Sequence, residues 1–404
     1  MKVYIETYGC TANQGDSQEM RNAIIGSGGT MVERPEEADV IVVNTCAVTE
    51  FTSRGMLKAI RKYKDKRVIA AGCMAAAQPY LLEGHVECAA APGAEAVADL
   101  LGIRPAEGAP LLKGRTAIVP IARGCAGHCS YCIVRLVRGP LCSVPPPAVV
   151  ASVKKALDMG AKEIFLTAQD TGAYGMDTGM RLPGLMRKIL KLEGDHRIRL
   201  GMMNPFSIAA IIDDMADVFN HPGVYRFAHI PVQSGSDRIL GLMDRPYTEG
   251  QYSDMVKRLK ECVPGLTLST DYIVGFPTES DGDFALTMED LRRNAPLKVN
   301  ITRFSPRPVT PAAAMEGMSF RIKKERSRAL TRLHHEVTSA YMRSAVGRRL
   351  SVLVTEEGKP GTAVARDDSY HMVVIPRAIR PGTRLDVKIC GASTTYMAGE
   401  PIDK

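Results

Sequence analysis

The chain has 404 residues, 45% hydrophobic and 24% charged, ordinary proportions for a globular protein and enough length for two or three domains with sizeable cores. No apolar run reaches bilayer-spanning length and the opening MKVYIETYGC carries no charged-then-apolar leader, so the expectation is a cytoplasmic protein with no membrane partner. A formal charge of +8 leans toward a polyanionic partner, and ten Cys without an export signal favour metal binding or chemistry over disulfides.

In residues 1–105, three apolar, β-rich runs recur at Val3–Tyr8, Val40–Asn44 and Val68–Ala71. Helical patterns over Ser17–Ser27 and Thr52–Lys64 separate them, which predicts a small parallel sheet with helices on its faces. Each run is followed within a residue or two by a Cys: Cys10, Cys46 and Cys73. Ligands in parallel α/β sheets bind beyond the carboxyl ends of the strands, so the three thiols are expected to converge on one edge. A three-thiolate site follows from that equivalence, where a single Cys would read as a small buried residue. Gly102–Gly114, rich in Gly, Pro and Ala, reads as a linker.

Next comes IARGCAGHCSYCIVRLVRG, in which Cys125, Cys129 and Cys132 stand as C-x3-C-x2-C directly after the strand-like run Thr116–Ala122. Three thiolates on one short loop can hold three irons of a [4Fe–4S] cube and leave the fourth open. A small molecule with an amine and a carboxylate can chelate that iron, and Tyr131 offers an aromatic face on which adenine can stack. A zinc loop would need a fourth Cys or His nearby, and His128, inside the spacer, is badly placed for it. Arg135 and Arg138, just beyond, can meet a carboxylate or phosphate by paired hydrogen bonds.

Five further strand-like runs follow: Glu163–Thr167, Arg197–Met203, Tyr225–Ile230, Leu266–Val274 and Val299–Phe304. Helical patterns alternate with them, at Ala148–Met159, Leu182–Leu192, Ser207–Phe219, Tyr247–Cys262 and Asp281–Arg293. Six β/α units predict an open partial barrel with its catalytic loops at the carboxyl ends of the strands. Those ends carry Gln169 and Asp170, then Met203–Pro205, then His229, Gln233 and Ser234, then Asp271 in DYIVGFPTE. Singly these are ordinary caps and turns; together they predict a pocket.

The stretch Arg321–Arg349 is basic and helical in period. After it come five short alternating runs, RLSVLVTEE, GTAVARDD, YHMVVIP, TRLDVKICGA and TTYMAGEPI, which predict a small OB-like β-barrel of the kind that binds nucleic acid.

The C-x3-C-x2-C loop resembles the signature of the radical S-adenosylmethionine (SAM) enzymes. TYGCTANQGDSQEM, NTCAVTE and AGCM resemble the three Cys-bearing motifs that open the radical-SAM methylthiotransferases, and the C-terminal runs resemble a TRAM domain. The resemblance covers the chain as a methylthiotransferase domain (1–105), a (β/α)6 radical SAM partial barrel (115–345) and a TRAM RNA-binding domain (346–404). It implies two [4Fe–4S] clusters, an auxiliary one on Cys10, Cys46 and Cys73 and a SAM-binding one on Cys125, Cys129 and Cys132. Asn13, Asp16, Asn44 and Thr45 match the family's polar neighbours and read as helix caps that also shape the Cys loops. Gln169–Asp170, His229–Ser234 and Asp271–Phe276 match regions that line the SAM site. Cys88, Cys142, Cys262 and Cys390 fit no spacing and read as structural. One departure is RPVTPAA (Arg307–Ala313), where Val309 stands in place of the family's usual Gly.

The implied reaction methylates a sulfur held at the auxiliary cluster. It then uses a 5′-deoxyadenosyl radical from a second SAM to replace an aryl hydrogen with methylthio, with a reductant and a sulfur donor supplied from outside. The implied partner is the anticodon loop of a tRNA. RLGMMNP (Arg199–Pro205), HIPVQSGSD and RGCAGHCSYC look most like the archaeal and eukaryotic branch, which acts on N6-threonylcarbamoyladenosine (t6A) at position 37. N6-isopentenyladenosine and an aspartate of a ribosomal protein are the alternative targets. An RNA-binding protein with structural or redox-sensing clusters is the alternative of a different class. For t6A, Arg135 and Arg138 are the expected carboxylate clamp.

Overall fold

A computed structural model describes residues 1–47, 50–82, 84, 86–89, 91–104, 110 and 112–402, with backbone alone at 50–54. Strands β1 (Lys2–Thr7), β2 (Thr30–Met31), β3 (Val40–Thr45), β4 (Arg67–Ala71) and β5 (Glu87–Cys88) form a parallel sheet in the order β2-β1-β3-β4-β5. Helices α1 (Thr11–Gly26), α2 (Glu50–Lys62), α3 (Gly72–Ala77) and α4 (Ala94–Leu101) connect and cover it. Alternation along β3 explains why its whole length is buried: Ile41 and Val43 face one apolar cluster, Val40 and Val42 the other.

Helix α1 begins six residues before the expected Ser17. Asn13, Gly15 and Asp16 are weak helix formers, and tertiary bonds hold them in place. Asn13 Nδ2 donates to the carbonyls of Tyr8 (2.9 Å) and Thr45 (2.8 Å), and Asp16 takes the Arg138 guanidinium. Asn13 and Asp16 therefore brace the Cys loops from inside the helix rather than capping it. The expected linker and the end of NTCAVTE fall partly outside the described residues.

The next elements are β6 (Leu112–Lys113), β7 (Thr116–Pro120), β8 (Ala122–Arg123), α5 (Val134–Arg138), β9 (Cys142–Ser143) and α6 (Pro146–Asp158). Then follow β10 (Glu163–Thr167), α7 (Leu182–Ile189), β11 (Arg197–Leu200), α8 (Pro205–Ile208), α9 (Ile212–Asn220) and β12 (Phe227–His229). The unit ends with α10 (Asp237–Leu242), α11 (Glu249–Cys262), β13 (Thr267–Val274), α12 (Asp281–Asn294) and β14 (Lys298–Arg303). Strands β7-β10-β11 and β12-β13-β14 are parallel sets, joined by a parallel bridge between Ile198 and Val224. The result is an open barrel of six parallel strands. Ile164, Leu166, Ile198, Leu200 and Leu268 turn outward into the helical layer. The intervening residues, among them Phe165, Arg199, His229, Asp271 and Asn300, face the lumen. One expected helix, Ser207–Phe219, is broken into α8 and α9 by a 3-10 turn at Ala209–Ile211.

Helix α13 (Phe320–Ser344) leads into β15 (Arg349–Glu357), β16 (Ala363–Asp367), β17 (Met372–Ile375), β18 (Arg384–Ala392) and β19 (Met397–Pro401). These five close into a barrel around Val352, Val354, Ala365, Val373, Val387 and Ile389. The turn between β16 and β17 plugs the lower end of the larger barrel. Arg226 donates its backbone N–H to the Asp368 carbonyl (2.8 Å), Lys298 Nζ donates to the Tyr370 carbonyl (3.2 Å), and His371 bonds Thr267 (2.9 Å).

Burial, with Arg366 and Arg199 close by, pulls the Lys298 pKa down to about 7. Between about pH 7 and the ordinary lysine value of 10.5 the unfolded chain therefore holds more protons than the folded one. This group adds stability as pH rises through that window and loses it again on acidification. Lys298→Met is expected to flatten that rise, read as the difference between wild type and variant in urea unfolding at pH 7.5 and 9.5.

Candidate active site

Cys10, Cys46 and Cys73 follow β1, β3 and β4, three neighbouring strands of one sheet. Gly9, at φ +103°, comes so close to Cys46 that an added Cβ would lie 2.8 Å from the Cys46 Cβ and 3.1 Å from its sulfur. The first Cys loop thus lies against the second thiol. Thr45 pairs with Gly72, and its hydroxyl donates to the Ala71 carbonyl (2.5 Å) and accepts from Ala75 N–H (3.1 Å), tying the second loop to the third. Asn44 Nδ2 donates to the Asn13 carbonyl and to Ser17 Oγ, both at 2.8 Å. Burial pushes the Cys73 thiol up and Arg138 pulls it back, while Cys46 and Cys10 are close enough to raise it further.

The second Cys loop is pinched at its base by the pairing of β8 with β9. Gly124, at φ +70°, permits the pinch, since an added Cβ would lie 1.9 Å from the Pro140 carbonyl oxygen. Within the loop, Cys132 N–H donates to the Cys129 carbonyl (3.1 Å) and Gly127 N–H to Cys125 Sγ (3.3 Å). Ser130 docks the loop by its N–H to Met243 (3.0 Å) and its hydroxyl to Leu242 (2.7 Å). Burial, then the neighbouring Cys129 charge, pushes the Cys132 thiol up to about 11, against the pull of nearby backbone N–H groups. Tyr131 packs edge-on against Phe276, ring centres 6.4 Å apart, in a cluster with Ile239, Phe304 and Ala312.

Helix α5 joins the two Cys sets. It leaves Cys132 at once, and Ile133 and Val137 enter the apolar cluster that contains Cys46 and Cys73. At its end the Arg138 side chain, 6% exposed, donates to Asp16 (2.5 and 3.3 Å) and Asn13 (3.0 Å) and also bonds Cys73. Arg138 is therefore not available to clamp a substrate; its fork is spent inside the protein. Arg135 lies beside the Cys loop, donating to the Gly127 carbonyl (3.2 Å) and contacting the His128 ring.

At the strand ends, Asp170 is fully buried and its Oδ1 accepts from Asn204 N–H (3.0 Å), Ser207 Oγ (3.0 Å) and Ala173 N–H (3.3 Å). Burial raises its pKa against those bonds. Gln169 Oε1, Asp170 Oδ2 and Asn204 Oδ1 are buried acceptors with no partner among the described residues, which marks a place for a ligand with donors. His229 Nε2 lies 2.9 Å from Asp271 Oδ1, which also accepts from Asn300 Nδ2 (2.7 Å), on the lumen wall. Gln233 bridges to Tyr272 at φ +75°. Ser234 turns its buried hydroxyl onto α12 rather than into the expected pocket, bonded to Thr287 Oγ1 (3.4 Å) and accepting from Ser236 N–H (3.2 Å).

Sequence reasoning missed Arg245, whose guanidinium donates to Cys129 Sγ (3.1 Å), the Pro231 carbonyl (3.0 Å) and Tyr247 OH (2.6 Å). The one signal was a charged residue wedged between a helix end and Pro246. It also missed Asn204 and Asn300 as individuals. Val309 occupies the third place of a turn closed by Thr310 N–H to the Arg307 carbonyl (3.2 Å), at φ +61° and 81% exposed. The turn survives without Gly, at the strain a β-branched residue carries there. Val309→Gly is expected to add about 1 kcal/mol of stability, less whatever Gly loses through the unfolded state, read as a rise in Tm.

Among the described residues no three His, Cys, Asp or Glu side chains converge tightly enough for a single metal ion; a [4Fe–4S] cube spreads three thiolates over three irons. Residues 119–291 match the Radical SAM superfamily, residues 2–90 the uncharacterized protein family UPF0004, and residues 343–402 the TRAM domain. Solved radical SAM structures share the fold: the methyltransferase TsrM from Kitasatospora setae has a TM-score of 0.57 over 77% of each chain at 14% identity. The cobalamin-dependent enzyme OxsB has 0.55 over 83% of this chain and 56% of its own at 9% identity. Fold and Cys loop together define a radical SAM enzyme, a class whose members use a [4Fe–4S] cluster and SAM.

The relatives are more specific. A Pyrococcus horikoshii protein named "Probable threonylcarbamoyladenosine tRNA methylthiotransferase" is 37% identical over the whole of both chains. One of the same name from Archaeoglobus fulgidus is 39% identical over 99% of this chain and 98% of its own. The Homo sapiens threonylcarbamoyladenosine tRNA methylthiotransferase is 35% identical over 99% of this chain and 74% of its own. The chain belongs to this methylthiotransferase family.

Proposed function

We propose that the protein transfers a methylthio group to C2 of t6A at position 37 in the anticodon loop of tRNA. The observation that carries the reading is the direct packing of the Cys132 helix α5 onto the edge holding Cys46 and Cys73, with Arg138 bonded across. Two thiolate triads side by side suit a reaction that needs both a sulfur source and a hydrogen abstraction at one carbon. The relatives' names supply the base. We take 1–105, 115–345 and 346–404 as the working units.

When bound, two [4Fe–4S] clusters and SAM supply reductive bond cleavage, hydrogen abstraction and the methylthio group. Cys125, Cys129 and Cys132 would ligate one cluster and Cys10, Cys46 and Cys73 the other. Gly127 N–H and Arg245 donate to Cys125 and Cys129 sulfur, and such bonds favour the reduced cluster by easing its negative charge. The unpartnered acceptors of Gln169, Asp170 and Asn204 would take the SAM ammonium. Tyr131 with Phe276 forms the apolar wall beside the loop, while His229, Asp271 and Gln233 line the lumen side. Arg135, at the loop surface, would contact RNA.

Helix α13 spends Arg326 on Glu279 and Lys323 on the Phe304 carbonyl, which leaves Lys324, Arg328 and Arg332 exposed at four-residue spacing on one face. That stripe suits the tRNA backbone and predicts affinity that falls steeply with salt. The deciding experiment is an anaerobic assay with reconstituted protein, SAM, a reductant, sulfide and tRNA bearing either t6A or N6-isopentenyladenosine, read by nucleoside mass spectrometry. A methylthio gain on t6A alone is expected; a gain on isopentenyladenosine alone overturns the substrate.

A further inference from the structure

The lumen floor gathers three cations, of which Arg366 is ion-paired with Glu356 while Arg199 and Lys298 have no carboxylate within ion-pair distance among the described residues. Arg199, on the lumen face of β11, places its guanidinium carbon 4.8 Å from the Phe165 ring centre and 5.0 Å from those of Phe227 and Tyr370. Its Nε is buried with no hydrogen-bond partner among the described residues. Lys298 Nζ sits 4.3 Å from the same Tyr370 ring centre, and Arg366 reaches that ring from the C-terminal barrel at 4.8 Å. Of the nearby carboxylates, Glu163 accepts from Thr116 Oγ1 (2.7 Å) and Tyr225 OH (2.9 Å) while still facing Arg366 and Arg199, Asp367 is bonded to His371, and Glu356 lies 3.9 Å from Arg366. Collecting like charges away from water costs free energy that a bound anion would recover. The lowered Lys298 pKa expresses that cost. A cavity of about 370 Å³ neighbours the floor; Glu163, Phe165 and Glu356 line its near side and α1 residues such as Gln14 and Gln18 its far side, while Arg199 and Lys298 do not line it.

We propose that Arg199 and Lys298 form the subsite for the carboxylate on the N6 side chain of the substrate adenosine, an inference that rests on the proposed function. Lys298 is two residues below Asn300 on one face of β14, about 7 Å along the strand, and Asn300 bonds Asp271 halfway up the lumen wall. A base held at that level directs its N6 substituent down the lumen to the floor. The fork of Arg199 matches a carboxylate's two oxygens. An isopentenyl group carries no charge and leaves both cations unmatched, so the floor also separates the two substrates.

The test is binding of anticodon stem-loops bearing t6A, its methyl ester or N6-isopentenyladenosine to wild type, Arg199→Gln and Lys298→Met. Wild type is expected to prefer the free acid over the ester about ten- to hundred-fold, and each variant to bring that ratio toward one. Arg199→Lys, which keeps the charge without the fork, should restore part of it. The ratio is read within one protein sample, so a partly unfolded preparation does not change it. If Arg199→Gln does not fold, Lys298→Met carries the test. Variants that keep the wild-type ratio overturn the subsite, as does a wild type that methylthiolates t6A yet binds acid and ester alike. Methylthiolation of isopentenyladenosine alone would instead show that the functional reading had failed.

Discussion

Arg138→Met should unfold this protein at markedly lower denaturant, with a loss of about 3–5 kcal/mol. The Arg138 and Asp16 side chains are 6% and 8% exposed, and removing the cation strands a carboxylate inside the joint between the two Cys loops. Asn13 Oδ1 loses a donor in the same stroke. Arg138→Lys should recover only part of the loss, because an ammonium lacks the planar fork that spreads two nitrogens over both Asp16 oxygens and Asn13. Arg138→Met combined with Asp16→Leu should recover more than either change alone, since it leaves no unpaired charge. Urea unfolding of the four variants reads this directly. Equal stability of Arg138→Met and wild type would mean the guanidinium is not holding the joint.

The second large effect separates the two thiolate sets. Alanine at Cys125, Cys129 or Cys132 is expected to abolish 5′-deoxyadenosine formation from SAM, because the open iron depends on three thiolates on that loop. Alanine at Cys10, Cys46 or Cys73 is expected to leave 5′-deoxyadenosine formation in place, to remove the methylthio product and to halve the iron content. A Cys73→Ala protein that still makes the methylthio nucleoside would dismiss the auxiliary site. Iron analysis beside product mass spectrometry distinguishes these outcomes.

Much of this architecture was legible from local pattern. Period-two and period-3.6 runs marked the strands that carry Cys10, Cys46 and Cys73, the six strands of the open barrel and the five of the small one, because these depend on which side chains each strand buries. The C-x3-C-x2-C spacing declared its chemistry for a similar reason: three thiolates within eight residues need little help from distant chain to meet. Helix α1 was less legible. Its first turn is stabilised by Tyr8, Thr45 and Arg138 rather than by its own propensity, so its true start at Thr11 was invisible locally.

Tertiary structure alone decided where the charged groups went. Arg135 and Arg138 lie three residues apart and looked equivalent, yet one is half-exposed at the loop and the other is buried on Asp16, 122 residues away in sequence. Ser234 could have faced a ligand or a helix, and packing against Thr287 chose the helix. Arg245 reaches Cys129 across 116 residues, and the Tyr370 turn enters the floor of a barrel whose strands begin more than two hundred residues earlier. A side chain's partners depend on which distant segment fills the space in front of it. Burial then sets the strength of each charge, and neither quantity is carried by spacing along the chain. The sequence by itself determined most of the elements, the spacing of the two Cys sets and the family; the fold decided where α1 begins, which cations brace the protein and which remain to meet a substrate.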